Sequence, residues 1–186
     1  MAQVRQTLAA GGEVWIGDET ALREFPPLRA AWAKCGVQQQ VVISGRNAQR
    51  VIWGAVNVVT GECGRVGRPR ARKEDAQAVV ETRGQVRPAV GKLLVWDNAP
   101  PHQPTLVRQA AEAAGITRTF LPFRAPELNP GEDLWRQLKG VVAGNRASAS
   151  VDALLDQALA WLDALTPAEV LRRSGLTSSK FNWLPT

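Results

Sequence analysis

The hydrophobic positions of this chain alternate between two periods. Residues 13–17, EVWIG, form a short apolar run that ends against Asp18-Glu19, which predicts a first strand. Residues 20–38 carry no regular stripe and contain the breaker Pro26-Pro27, so irregular or partly helical structure is expected there. Residues 40–44 (QVVIS) and 50–58 (RVIWGAVNV) are rich in β-branched side chains. Gly45-Arg46-Asn47 between them supplies turn chemistry, and the two runs predict a hairpin. Residues 64–73, GRVGRPRARK, read as a basic loop, and 74–86 as a helix with a weak apolar stripe. Residues 92–96, KLLVW, are nearly all apolar, as in a central strand buried on both faces.

The second half is mostly helical. Residues 104–114 start at Pro104 and stop at Gly115, with Leu106, Val107, Ala110 and Ala114 as the inward stripe. Residues 116–121, ITRTF and Leu121, read as a strand. A helix over 130–139 is capped by Asn129, opened by Pro130 and ended by Gly140. Residues 151–165 give the clearest helix, with Val151, Leu154, Leu155, Ala158, Leu159, Leu162 and Leu165 on one face. Thr166-Pro167-Ala168-Glu169 is a capping box for a last short helix. The order of elements predicts an α/β fold, one mixed sheet flanked by helices.

With 186 residues, 45% hydrophobic and 22% charged, the chain suits one globular domain and not a disordered or collagen-like one. No apolar run reaches the ~18 residues of a membrane span, and residues 1–10 lack a signal-peptide core. A cytoplasmic, nucleoid-associated protein is expected, with no membrane partner. Cys35 and Cys63 read as two reduced thiols. The net charge is +6, and Arg outnumbers Lys 18 to 5. Arg forks match phosphate oxygens, so a nucleic-acid partner fits this balance.

His102 is the single histidine. That excludes zinc sites built on two or three histidines and zinc fingers of the Cys/His type. There is no G-x-S-x-G, no G-x-x-x-x-G-K-[ST] and no G-x-G-x-x-G. Any catalysis therefore falls to carboxylates, whose hard oxygens favour Mg²⁺ or Mn²⁺. Asp18 follows the first strand, Asp97 ends KLLVW, and Glu132 opens a later helix. Each also reads as a turn or cap residue, and Asn129-x-x-Glu132 is itself a capping arrangement. Helical spacing does not separate Glu132 from Asp133.

The stretch LLVWDNAPPH (93–102), followed by FLPFRAPELNPGEDLW (120–135), resembles the signature of Tc-and-mariner-type DDE transposases, especially the bacterial insertion-sequence-630 family. Asp97 and Glu132 are separated by 34 residues, the family's spacing, and WIGDE (15–19) is similar to its first motif. The likeness spans roughly residues 13–145. It implies an RNase H-like catalytic core there, an N-terminal extension over 1–12, and C-terminal helices over 146–186 packed on the core. It also implies that Asp18, Asp97 and Glu132 are the catalytic metal ligands, holding two Mg²⁺ (or Mn²⁺) ions with Asp97 between them. Asp133 is set aside because Glu132 takes the motif position.

The activity so implied is metal-dependent cleavage at element ends and strand transfer by the freed 3′-hydroxyl. The partners would be double-stranded DNA, a second copy of the chain, or an upstream-frame helix-turn-helix polypeptide, since about twelve residues precede the first strand. Two other readings are a catalytically inactive DNA-binding or dimerising remnant, and a metal nuclease of the same fold. The DNA-binding candidates are Arg65, Arg68, Arg70, Arg72 and Lys73 in the basic loop, Arg124 near the Glu132 motif, and His102. Arg46 and Arg50 are weaker candidates. The basic loop reads equally as a solvated face, and His102 equally as a residue that stabilises its loop. The tryptophans are mostly core candidates.

Overall fold

The computed structural model describes residues 2–25, 27–37, 40–41, 45–181 and 184. Its elements are α1 (Ala2–Ala9), β1 (Glu13–Arg23), β2 (Gln49–Asn57), β3 (Cys63–Arg68), α2 (Lys73–Gln85), β4 (Lys92–Trp96), α3 (Thr105–Ala113), β5 (Ile116–Phe120), α4 (Pro130–Val142), α5 (Val151–Asp163) and α6 (Pro167–Arg173). The five strands lie in the order β3-β2-β1-β4-β5. β1, β2 and β3 form an antiparallel meander, while β4 and β5 run parallel to β1. This is the mixed, helix-flanked sheet of the expected RNase H-like class.

Three layers follow from the alternation of side chains along the strands. One face of the sheet carries Trp15, Trp53, Leu94 and Trp96, covered by Ala76 and Val80 of α2 and by Val107, Ala110 and Ala111 of α3. The other carries Leu22, Ile52 and Val56 against Leu134, Trp135 and Leu138 of α4 and Leu154, Ala158 and Leu162 of α5. Burying each large apolar side chain contributes about 1.5–3 kcal/mol, so this seam holds α4 in place. Gly54 makes room for it, since a Cβ there would stand 2.6 Å from the Trp135 ring. A third cluster seats Val4 of α1 beneath Val14, Ile16, Leu93 and Val95.

Several expectations are revised. The first strand runs on to Arg23, because β2 pairs with it through Arg23↔Gln49. Asp18 is therefore inside a strand, not at its end. In the expected 40–44/50–58 hairpin, residues 42–44 lie outside the described residues and 40–41 form no strand. β2 instead pairs with β1 and β3. The first half of the expected basic loop at 64–73 is the edge strand β3, whose Cys63-Gly64-Arg65-Val66 ladder lies against β2, and 69–72 lead from it into α2. The helix α1 was not foreseen.

Leu106 is exposed, and Ala111 takes its place on the inward face of α3. Helix α4 passes through Gly140 to Val142. The capping box of α6 is formed as expected: Glu169 N donates to Thr166 Oγ1, and Thr166 N donates to Glu169 Oε2. Trp15, Trp53, Trp96 and Trp135 are all buried, whereas Trp32 is fully exposed. Both cysteines are free. No helix among the described residues is long and apolar enough to cross a membrane.

Candidate active site

Three elements carry the acids. β1 and β4 run parallel with Ile16 beside Val95, so the same register two residues on sets Asp18 level with Asp97. The buried strand β4 ends at Trp96, and Asp97 begins the loop beyond it, where ligands of open α/β sheets collect. The third element is the start of α4. Asn129 caps it by accepting from Gly131 N at 3.0 Å, and Pro130 occupies the first turn, where its missing N–H leaves no helical bond unmade. Gly131 lies so close to β1 that a Cβ there would stand 2.8 Å from Asp18 Cβ. Glu132, the next residue, is exposed beside this contact and lines a cleft of about 260 Å³ together with Asp97 and Arg124.

Asp18 is the anomalous member. It is buried, and its Oδ2 has no hydrogen-bond partner. Burial, and then the charges of Glu132, Glu19 and Asp97, push its carboxyl well above the usual range, opposed only by a backbone hydrogen bond at Glu19. A buried carboxyl pushed up by three neighbouring acids is suited to an added cation. Among the described residues no three acid, cysteine or histidine side chains are yet close enough to form a cage. Asp97 is drawn instead toward His102, and Glu132 stands in the open mouth of the cleft.

His102 is fully buried. Its ring stacks on Trp96 at 4.4 Å and meets Trp53 edge-on at 5.6 Å. Nδ1 lies 2.8 Å from Asp97 Oδ1 and 3.3 Å from the Asp97 carbonyl oxygen. Nε2 lies 3.0 Å from Glu19 Oε2, but the pair is not aligned as a hydrogen bond. Burial lowers the imidazole pKa. The bond to Asp97 and the Glu19 contact outweigh it and raise the pKa to about 9. The same bond holds Asp97 below the ordinary carboxylate range, helped by Ala99 N donating to Oδ1 at 2.9 Å. The expectation that His102 touches DNA is therefore corrected, because no part of its ring reaches the surface. It orients Asp97.

Glu19 was missed as a participant. Strand alternation, which turns Glu19 to the opposite face from Asp18, was the available signal. Asp133 points away from the cleft into ion pairs with Arg136, at 2.6 Å, and Lys180. The structure thus separates the two neighbouring acids that helical spacing left equivalent.

The basic residues divide into two groups. Arg124 lies in the cleft wall. The segment 65–73 lies at the β3 edge, two strands from β1. There Arg65 pairs with Asp163 and Arg68 with Asp75 at 3.1 Å, while Arg70, Arg72 and Lys73 are exposed. Arg46 and Arg50 are paired with Glu24 and Asp152.

Comparisons with known proteins agree with this architecture. The family model for DDE superfamily endonucleases matches residues 13–155. The insertion element IS630 uncharacterized 39 kDa protein of Shigella sonnei is 24% identical over 172 residues, covering 90% of this chain and 50% of that protein. The chain thus spans about half the length of this curated relative. Among solved structures, the catalytic domain of Mos1 mariner transposase superposes with a TM-score of 0.66 at 13% identity, covering 97% of this chain and 85% of that one. The Mos1 mariner paired end complex with Mn gives a TM-score of 0.69 at 12% identity over 99% of this chain and 61% of that one. The fold is that of a transposase catalytic domain, RNase H-like, and the chain belongs to the DDE superfamily endonuclease family.

Proposed function

We propose that this chain is the catalytic domain of a transposase that cleaves phosphodiester bonds at the ends of a mobile element and joins the freed 3′-hydroxyl to target DNA. The observation that carries the reading is the buried Asp18 carboxyl, whose Oδ2 has no hydrogen-bond partner and which feels the charges of Glu132 and Asp97. The all-oxygen donor set suits Mg²⁺ or Mn²⁺. Asp18, Asp97 and Glu132 would hold two such ions. Bound there, they supply charge neutralisation at the scissile phosphate and activation of a water or a 3′-hydroxyl.

The protein's own contribution is positioning. Parallel β1 and β4 fix two carboxylates on a rigid sheet, and the start of α4 brings the third. His102, protonated between Asp97 and Glu19, holds the Asp97 carboxylate at the end of β4 and offsets one negative charge of the cluster. Arg124 faces the DNA backbone near the cleavage point. The exposed Arg70, Arg72 and Lys73, with Arg65 and Arg68 beside them, grip phosphates further along the duplex with strong salt dependence. Double-stranded DNA is the partner.

Calorimetric titration with Mg²⁺ or Mn²⁺, paired with nicking of supercoiled DNA, tests the reading on wild type and Asp97→Ala. Metal binding and nicking are both expected in wild type and both lost in the variant. DNA binding without metal-dependent nicking in either protein would leave the remnant reading in its place.

A further inference from the structure

Beyond the carboxylates the cleft changes character. Its wall is built from Pro100, Leu121, Pro122, Phe123 and Pro126. Phe123 is 73% exposed, an unusual position for a large apolar ring. Pro122 and Pro126 restrict the backbone on either side. Arg124 lies with its guanidinium 5.2 Å from the Phe123 ring centroid and holds a left-handed backbone, φ 55°, which a non-glycine residue avoids unless its surroundings impose it. The same cleft is thus lined by an apolar wall, by one cation, Arg124, and by the acids Asp97 and Glu132.

A nucleotide has the complementary pattern, a flat π-faced base between two phosphates. Proteins hold unpaired bases by stacking them on aromatic rings and guanidinium planes. A cleft of about 260 Å³ is smaller than drug-sized sites of roughly 300–1,000 Å³, and suits one ring system, not a stacked pair. We propose that this cleft takes a single unstacked nucleobase of the DNA end, laid against Phe123 with Arg124 on its flanking phosphate, so that the adjacent phosphodiester is delivered to Asp97 and Glu132. The inference rests on the transposase reading and adds a requirement that the end open before cleavage.

The test uses two duplexes of one sequence, one fully paired and one with mismatched terminal pairs. Binding is read by anisotropy with Ca²⁺ in place of Mg²⁺. Wild type is expected to prefer the open end by about five- to hundred-fold, the range of one base–aromatic stack. Phe123→Ala brings the ratio to within about twofold, and Phe123→Trp restores it. Both affinities come from the same preparation, so a folding defect cancels. In wild type, 2-aminopurine at the unpaired position is quenched on binding, which requires no variant.

A wild-type ratio near one, or a ratio unchanged by Phe123→Ala, overturns the proposal. Metal-dependent nicking alongside such a result removes the base subsite alone. Absence of nicking removes the transposase reading with it.

Discussion

Asp18→Asn should stabilise the metal-free protein while abolishing its affinity for divalent cations. The Asp18 carboxylate is buried, its Oδ2 lacks a partner, and Glu132, Glu19 and Asp97 all repel its charge. An uncharged amide of the same shape removes that repulsion and turns a donor toward the neighbouring carboxylates. Leaving a buried polar atom unsatisfied costs about 1–3 kcal/mol. For a chain of this size each kcal/mol moves Tm by about 2–4 °C, so the variant should melt roughly 2–12 °C higher in EDTA at pH 7. The sign with pH is definite. A carboxyl whose pKa is raised on folding binds more protons in the native state, so the wild type loses stability as pH rises above the unfolded value near 3.9. The gap between the proteins should close toward pH 3 and open above pH 4. Added Mg²⁺ should raise the wild-type Tm and leave the variant unmoved. Calorimetry in EDTA showing Asp18→Asn melting at or below wild type at pH 7 would refute the reasoning.

Two further outcomes follow from the same geometry. His102, raised from 6.5 to about 9, contributes stability that is fully present below pH 6.5 and lost as pH climbs through 9, at most about 3 kcal/mol; urea unfolding of the metal-free protein should show this decline, and His102→Asn should remove it, whereas a flat wild-type profile between pH 6 and 10 would contradict the assignment. Replacing both Arg70 and Arg72 by Ala should lower the slope of log K against log salt for duplex DNA by up to about 2. Arg65→Ala should lower it less, because its guanidinium already engages Asp163, and an unchanged slope in the double variant would place the DNA elsewhere.

The helices of the second half were legible because their signals are local. Asn129-Pro130, Thr166-Pro167-x-Glu169 and the leucine stripe of 151–165 each act within a few turns, and each lies where the sequence places it. KLLVW was legible for a related reason, since a strand buried on both faces has no polar alternation to disguise it. The length of β1 was not. Its second half, Glu19 to Arg23, mixes polar and apolar residues, and only pairing with β2 shows it to be a strand. The chemistry of 64–73 misled for the same reason. Gly, Pro and Arg suggest a loop, whereas the neighbouring strand supplies the hydrogen bonds that make an edge.

What the sequence by itself determined is the acid inventory, with one histidine and no competing nucleophile motif, and the motifs whose resemblance to DDE transposases points to Asp18, Asp97 and Glu132. It determined the order of elements because periodicity is written residue by residue. Only the tertiary structure decided which acids share a space. The parallel register of β1 with β4, and the absence of a side chain at Gly131, set Asp18 next to β4 and the start of α4, beside the cleft that Asp97 and Glu132 line. The same packing turned Asp133 outward and buried His102 between Trp96 and Trp53. Charge repulsion, burial and orientation depend on distances through space, and a linear pattern carries none of them until the sheet closes.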